Sequence, residues 1–339
     1  MEKIIRSICL FSPSPNKNEA VIKHQEIADL LHANKFQIQT QRLCFRNTSI
    51  EAIEAEFDQQ LPYLYALGSL NLIQMKALLP SFLESKLPIS CNLQLQKKVD
   101  MDAVDILKKI IHTSADKTFH FCFSFGAANN SPFFPSTHYD KTGFSIGLQA
   151  TNLAANCPDS QSWMKSMLEV WNELAGTFAE FPDFLGIDSS IAPLFDGAGS
   201  FIHFAQQQVG PLGKLCTSDF FTQISNFIKK ENPKPIGLCG LMFPCLEDFE
   251  LAKCYEKGAF NIERTIFLSL HSGIGIDTYP IGIDESPERI LQILSLVQAL
   301  SHKYQKALSV RFVSDGYHKI GEKSNFKNPY LKDVILRQL

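Results

Sequence analysis

Four stretches combine carboxylates, hydroxyls and glycines where an apolar run ends, the place at which α/β folds collect ligands. In Gly273-Ile274-Gly275-Ile276-Asp277-Thr278 the glycines permit close backbone approach, and Asp277 with Thr278 could bind a hydroxyl, an amine or a metal. A phosphate cradle needs a helix directly after the glycines. Here Tyr279-Pro280 follows and the next helix begins near Pro287. A buried strand with a polar end explains the stretch equally well.

In Gly186-Ile187-Asp188-Ser189-Ser190 alternation along a strand puts Asp188 and Ser190 on one face, a carboxylate beside a hydroxyl. No GxSxG elbow accompanies Ser190, so serine-hydrolase chemistry is not expected. Turn amides satisfied by Asp188 are the competing explanation. In Gly237 to Ala252, Glu247 and Asp248 open a helix, where the dipole favours negative charge. Together with Asp188 and Asp277 they could also supply oxygen ligands to a divalent cation. Cys239 and Cys245 have no neighbour that would make a thiolate, so both read as inert. The loop from Asn129 to Tyr139 offers His138 as an acid–base group. HxH and HExxH are absent, which argues against zinc. Arg311 is the candidate anion anchor, because its planar fork suits a carboxylate or phosphate.

The elements that would position these groups alternate. Strands are expected at Arg6–Phe11, Phe36–Cys44, Phe119–Phe123, Phe184–Ile187, Pro235–Met242 and Ala307–Val313, with Gly273–Pro280 as a further strand. Helical periodicity marks Glu19–Asn34, Asp102–His112, Ser160–Phe181, Asp219–Lys230, Leu246–Lys257 and Phe260–Leu270. Another helix starts at Ser286-Pro287, a cap followed by proline in the first turn. The 339 residues, 45% hydrophobic and without a linker-like segment, read as one α/β domain spanning 1–339.

Composition excludes other classes. The net charge is −3 and the densest basic run is a lysine pair, so a nucleic-acid track is not expected. Apolar runs fall well short of the roughly 20 residues that cross a bilayer. The N-terminus lacks the long apolar core of a signal peptide. Nine scattered cysteines without a CxxC pair point to a reducing, cytoplasmic compartment. A small-molecule ligand is therefore the expected partner, and homo-oligomerisation stays open.

RSICLF, FQIQTQRL, SPFFPSTHYDKTGFSIGL, LGIDSSIAP, GLCGLMFPCLEDFELA, SGIGIDTYP and KALSVRFVSDGYHKIGEKSNF occur in this order along nearly the whole chain. Together they resemble domain of unknown function 711, also called uncharacterised protein family 0210. Gln149 stands where the family carries an acid, which marks a divergent member. The resemblance implies a fold related to pyruvate formate-lyase: a ten-stranded β/α barrel of two antiparallel five-stranded parallel halves, surrounded by helices. Arg311 to Tyr317 comes near the glycyl-radical loop of those enzymes but carries an extra residue, and no tandem Cys pair accompanies it. A glycyl radical is accordingly not expected. The resulting expectation is an enzyme-like pocket inside the barrel for a small polar or anionic metabolite. Asp188, Ser190, Thr278 and Arg311 would bind, and His138 and Asp277 would act. The alternative is a metabolite-sensing or partner-binding protein without turnover, which the loss of the acid at Gln149 favours.

Overall fold

The computed structural model describes residues 2–126 and 129–339. Ten strands form one mixed sheet. They are β1 (Lys3–Ser12), β2 (Phe36–Ile38), β3 (Gln41–Phe45), β4 (Tyr63–Leu70), β5 (Ile89–Gln94), β6 (Phe121–Phe125), β7 (Gly143–Leu148), β8 (Phe184–Asp188), β9 (Gly275–Pro280) and β10 (Leu308–Val313). The order across the sheet is β8-β7-β1-β3-β4-β5-β6-β10-β9, with the short β2 also paired to β1. From β1 through β6 the neighbours run parallel. Both flanks then reverse: β7 is antiparallel to β1, and β10 is antiparallel to β6. Within the flanks β7–β8 and β9–β10 are again parallel.

Helices connect the parallel strands and cover the sheet, because a strand buried on both faces cannot be left to solvent. Local chemistry starts several of them. Asn71 and Gln74 form a reciprocal capping box ahead of helix Leu72–Glu84. Ser286 accepts from the Arg289 amide before helix Pro287–Tyr304, as the Ser-Pro signal predicts. The main apolar cluster runs from Ile5 to Leu339 and includes Trp163, Trp171 and Tyr255.

Three expected elements differ, each for a physical reason. Phe36–Cys44 is two strands, because Gln39 and Thr40 interrupt the ladder. The helix expected from Leu246 begins at Phe249, because Asp248 caps it. Pro235–Met242 makes no continuous ladder, since Gly237 (φ +75°) and Cys239 (φ +44°) leave the extended region. It touches its neighbours at single parallel bridges, Ile187 with Pro235, Ile191 with Leu241 and Leu241 with Gly273, and just beyond it Pro244 bridges Asp277. Among the described residues regular pairing does not close the sheet, and the architecture is a mixed ten-stranded sheet with surrounding helices. Two strands, β4 and β5, and the helices Ile50–Glu56 and Leu72–Glu84 lie in the stretch 46–100, where no element was expected.

One face of the sheet packs under helices and the other opens onto a cavity. Leu43, Tyr65, Phe121, Phe123, Val310 and Phe312 enter the main core. The alternating partners Arg42, Leu64, Cys122, Ser309 and Arg311 line the cavity instead. Further along the cavity side, Cys9, Phe11, Cys44 and Ala66 fill the space against Phe134 and Tyr139.

Candidate functional site

The cavity holds about 890 Å³, the size of a pocket for a ligand of metabolite or drug dimensions. Its polar residues come from separate strands. Arg6 is on β1, Arg42 on β3, Asp277 on β9 and Arg311 on β10. Glu247 lies just before helix Phe249–Glu256. Phe119, Phe133, Phe134, Phe243 and Tyr330 supply apolar walls.

Arg311 is held on three sides. Its Nε donates to Asp277 Oδ1 at 2.6 Å, one terminal nitrogen to Glu247 Oε1 at 2.5 Å, and the other to the Phe119 carbonyl at 3.2 Å. The guanidinium carbon also sits 5.0 Å from the centre of the Phe119 ring. Burial opposes the charge, yet Asp277 and Glu247 outweigh it and raise the guanidinium above its ordinary value. Glu247 is pushed the other way: burial raises its carboxyl, with Arg311 pulling back.

The other two arginines are poorly paired. Arg6 is buried; it donates to Gln39 over 3.4 Å and stands 3.8 Å from Glu247 Oε2, beyond hydrogen-bonding distance. Burial lowers its guanidinium, with Glu247 opposing. Arg42 is buried as well, and among the described residues it makes one hydrogen bond, Nε to Thr40 Oγ1 at 3.2 Å, and no ion pair. Its carbon lies 5.0 Å from the Phe134 ring centre. Burial, and then the charge of Arg6, bring it down to about 9. On the same wall His120 is kept neutral, lowered to about 3 by burial and by Lys117, Arg311 and Arg42. Burial raises the Cys122 thiol, which removes it as a thiolate.

Of the residues expected from sequence, Glu247, Asp277 and Arg311 meet at this cavity. The others lie elsewhere. Asp188 is fully buried and its two oxygens accept five hydrogen bonds, from Ser131 Oγ, Ser190 N and Oγ, Leu238 N and Cys239 N. Gly237 makes this wrapping feasible, since a Cβ there would fall 2.3 Å from Asp188 Oδ2. Asp188 and Ser190 thus hold the 237–240 turn, and neither lines the cavity. Asp248 accepts from Ser200 Oγ at 2.5 Å and from the amides of Ile202, Glu250 and Leu251, as a helix cap.

Thr278 is buried with φ +39°, and its hydroxyl has no partner among the described residues. His138 packs beside Gly68, with Nδ1 unbonded and the imidazole pushed down by burial. Neither lines the cavity. Gln149 is buried, donates to Thr151 Oγ1 at 2.7 Å and lies away from the cavity, so its departure from an acid says nothing of the pocket. The expected metal set of Asp188, Glu247, Asp248 and Asp277 is not assembled. No three His, Cys, Asp or Glu side chains among the described residues are placed to share an ion.

Sequence reasoning missed Arg6, Arg42 and His120. The signal was a charged or polar residue inside an apolar strand, as in RSICLF and QRLC, which only a cavity-facing position makes tolerable.

Residues 314–331 form a strap whose Ser314, Asp315, Tyr317 and residues 325–331 line the cavity. Asp315 shapes it by accepting from the amides of Tyr317, His318 and Asn325 and from His318 Nδ1. Tyr330 is stacked between Phe119 (6.4 Å between centres) and Phe195 (5.8 Å).

No helix among the described residues is long and apolar enough to cross a membrane. Comparison with curated proteins gives no match. The family model for uncharacterised ACR (DUF711) matches residues 68–327, which carry Asp277, Glu247, Arg311 and most of the strap. The chain belongs to the uncharacterised DUF711 family.

Proposed function

We propose that the cavity binds a small anionic metabolite, a carboxylate or phosphate, and acts on it as an enzyme. The carrying observation is Arg42: a buried guanidinium that opens on the cavity and, among the described residues, has no carboxylate partner. An unpaired buried charge is costly, and an anion from solution offsets that cost. Arg42 and Arg6 would hold the anion, while Arg311, locked by Asp277 and Glu247, sets the floor. Glu247 is the proton-transfer group, because burial holds its carboxyl above the ordinary range. Asp277 stands beside it.

The resemblance to pyruvate formate-lyase-like barrels supports reading the turn 235–244 as the irregular fifth strand of the second half, between β8 and β9. The four parallel bridges it makes favour that assignment. Nine cysteines without a disulfide support a reducing, cytoplasmic setting.

A thermal-shift screen of carboxylates and phosphates tests the binding claim. A ligand at about 100 times its Kd adds about 2.7 kcal/mol. Stabilisation by at least one such anion, with mass spectrometry showing its conversion, is the expected result. An anion that binds and returns unchanged leaves a sensor, and no stabilisation by any anion removes the reading.

A further inference from the structure

Among the described residues, two carboxylate oxygens at the cavity accept no hydrogen bond from the protein. Asp277 gives Oδ1 to Arg311, and among the described residues no protein group reaches Oδ2, on a side chain about 21% exposed toward the cavity. Glu247 gives Oε1 to Arg311, and the nearest cation to its Oε2 is Arg6 at 3.8 Å. The same floor carries donors without acceptors, the terminal nitrogens of Arg42 and most of Arg6. A plain anion would satisfy the arginines and leave the acids bare. We infer that the ligand is a carboxylate bearing its own hydrogen-bond donor on the adjacent carbon, a 2-hydroxy or 2-amino acid, with the donor given to Asp277 and Glu247.

This inference rests on the anion reading above. The carboxylate lies against Arg42 and Arg6, and the hydroxyl or ammonium turns to the acids. The rest of the ligand meets an apolar wall of Phe119, Phe133, Phe134 and Tyr330, which a bulky or aromatic substituent would fill. The remaining charges do not compete. Asp315 is taken by four donors of the strap. Asp116 and Lys327 are exposed at the rim and opposite in sign.

Three probes of one shape isolate the donor: 3-phenyllactate, phenylalanine and 3-phenylpropionate. Lactate, alanine and propionate repeat the series without the ring. Dissociation constants on the intact protein should favour the hydroxy or the amino acid over the plain acid by ~10-fold or more, the value of a hydrogen bond to a charged group. Whichever of the two leads names the donor. In Asp277→Asn the amide oxygen takes the Arg311 bond and its NH2 faces the ligand, so the preference should collapse toward 1 while the plain acid still binds.

Equal affinity of the plain acids for the unaltered protein overturns the inference and leaves the anion reading standing. Failure of all six probes to bind overturns the inference, and failure of inorganic phosphate beside them overturns the anion reading as well. A preference that survives in a folded Asp277→Asn variant overturns the assignment to Asp277, and Glu247→Gln run in parallel shows whether that acid accepts the donor instead.

Discussion

Arg42 is the residue on which the account turns, and its energetics are unusual. A buried arginine normally has a carboxylate, and removing one partner of such a pair costs about 3–5 kcal/mol. Arg42 has none, so Arg42→Gln should leave the unliganded protein as stable as before or more stable by about 1 kcal/mol. Equilibrium denaturation of the variant reads this directly; a loss of several kcal/mol would mean that the guanidinium is structural. Titration gives a second expectation. Anion binding needs the protonated guanidinium, which burial and Arg6 lower to about 9. A bound anion raises that value, so binding takes up a proton above pH 9. Affinity should be flat below about 9 and fall as pH rises through it, up to tenfold per unit. A calorimetric pH series checks the sign, and an affinity that climbs through that range contradicts it.

At the scale of elements, the carboxylates sort by hydrogen-bond supply. Asp188 accepts five bonds and organises the 237–240 turn against β8. An asparagine there would turn an NH2 toward groups that donate, so Asp188→Asn should destabilise by about 1–3 kcal/mol. Chemical denaturation measures it, and an unchanged midpoint would refute the anchoring role. The sequence carried this distinction only in part. Alternation in GIDSS placed Asp188 and Ser190 on one face, and they do share it, since the Ser190 hydroxyl donates to Asp188 at 2.6 Å. What filled the remaining lone pairs came from Ser131 and from residues 238 and 239, 50 or so positions away, and no local pattern reports that. Pairing of Glu247 and Asp277 through Arg311 was likewise invisible, although each of the three was singled out, because it depends on strand order.

For the whole molecule, the cavity exists because strands from both halves of the chain present their alternate positions to one space while their partners enter one core. The strap lines the same cavity, and Tyr330 packs it against Phe119 and Phe195. Tyr330→Ala removes both aromatic stacks, each worth about 0.5–1.5 kcal/mol, and should expose residues 314–331 to limited proteolysis faster than in the unaltered protein. Equal cleavage would show that the strap is held without Tyr330. Helix and strand alternation made the α/β class readable from 339 residues. The closure of the sheet was not, since Pro235–Met242 looks like a strand by composition but is turned by Gly237 and Cys239.

The central claim is that an anion seats on Arg42, and the most direct measurement is calorimetric titration of 3-phenylpropionate and inorganic phosphate into the unaltered protein and Arg42→Gln. The account predicts saturable binding of at least one of them to the unaltered protein, weakened ~10-fold or more in a variant that remains folded. Binding of equal strength in both proteins would contradict it.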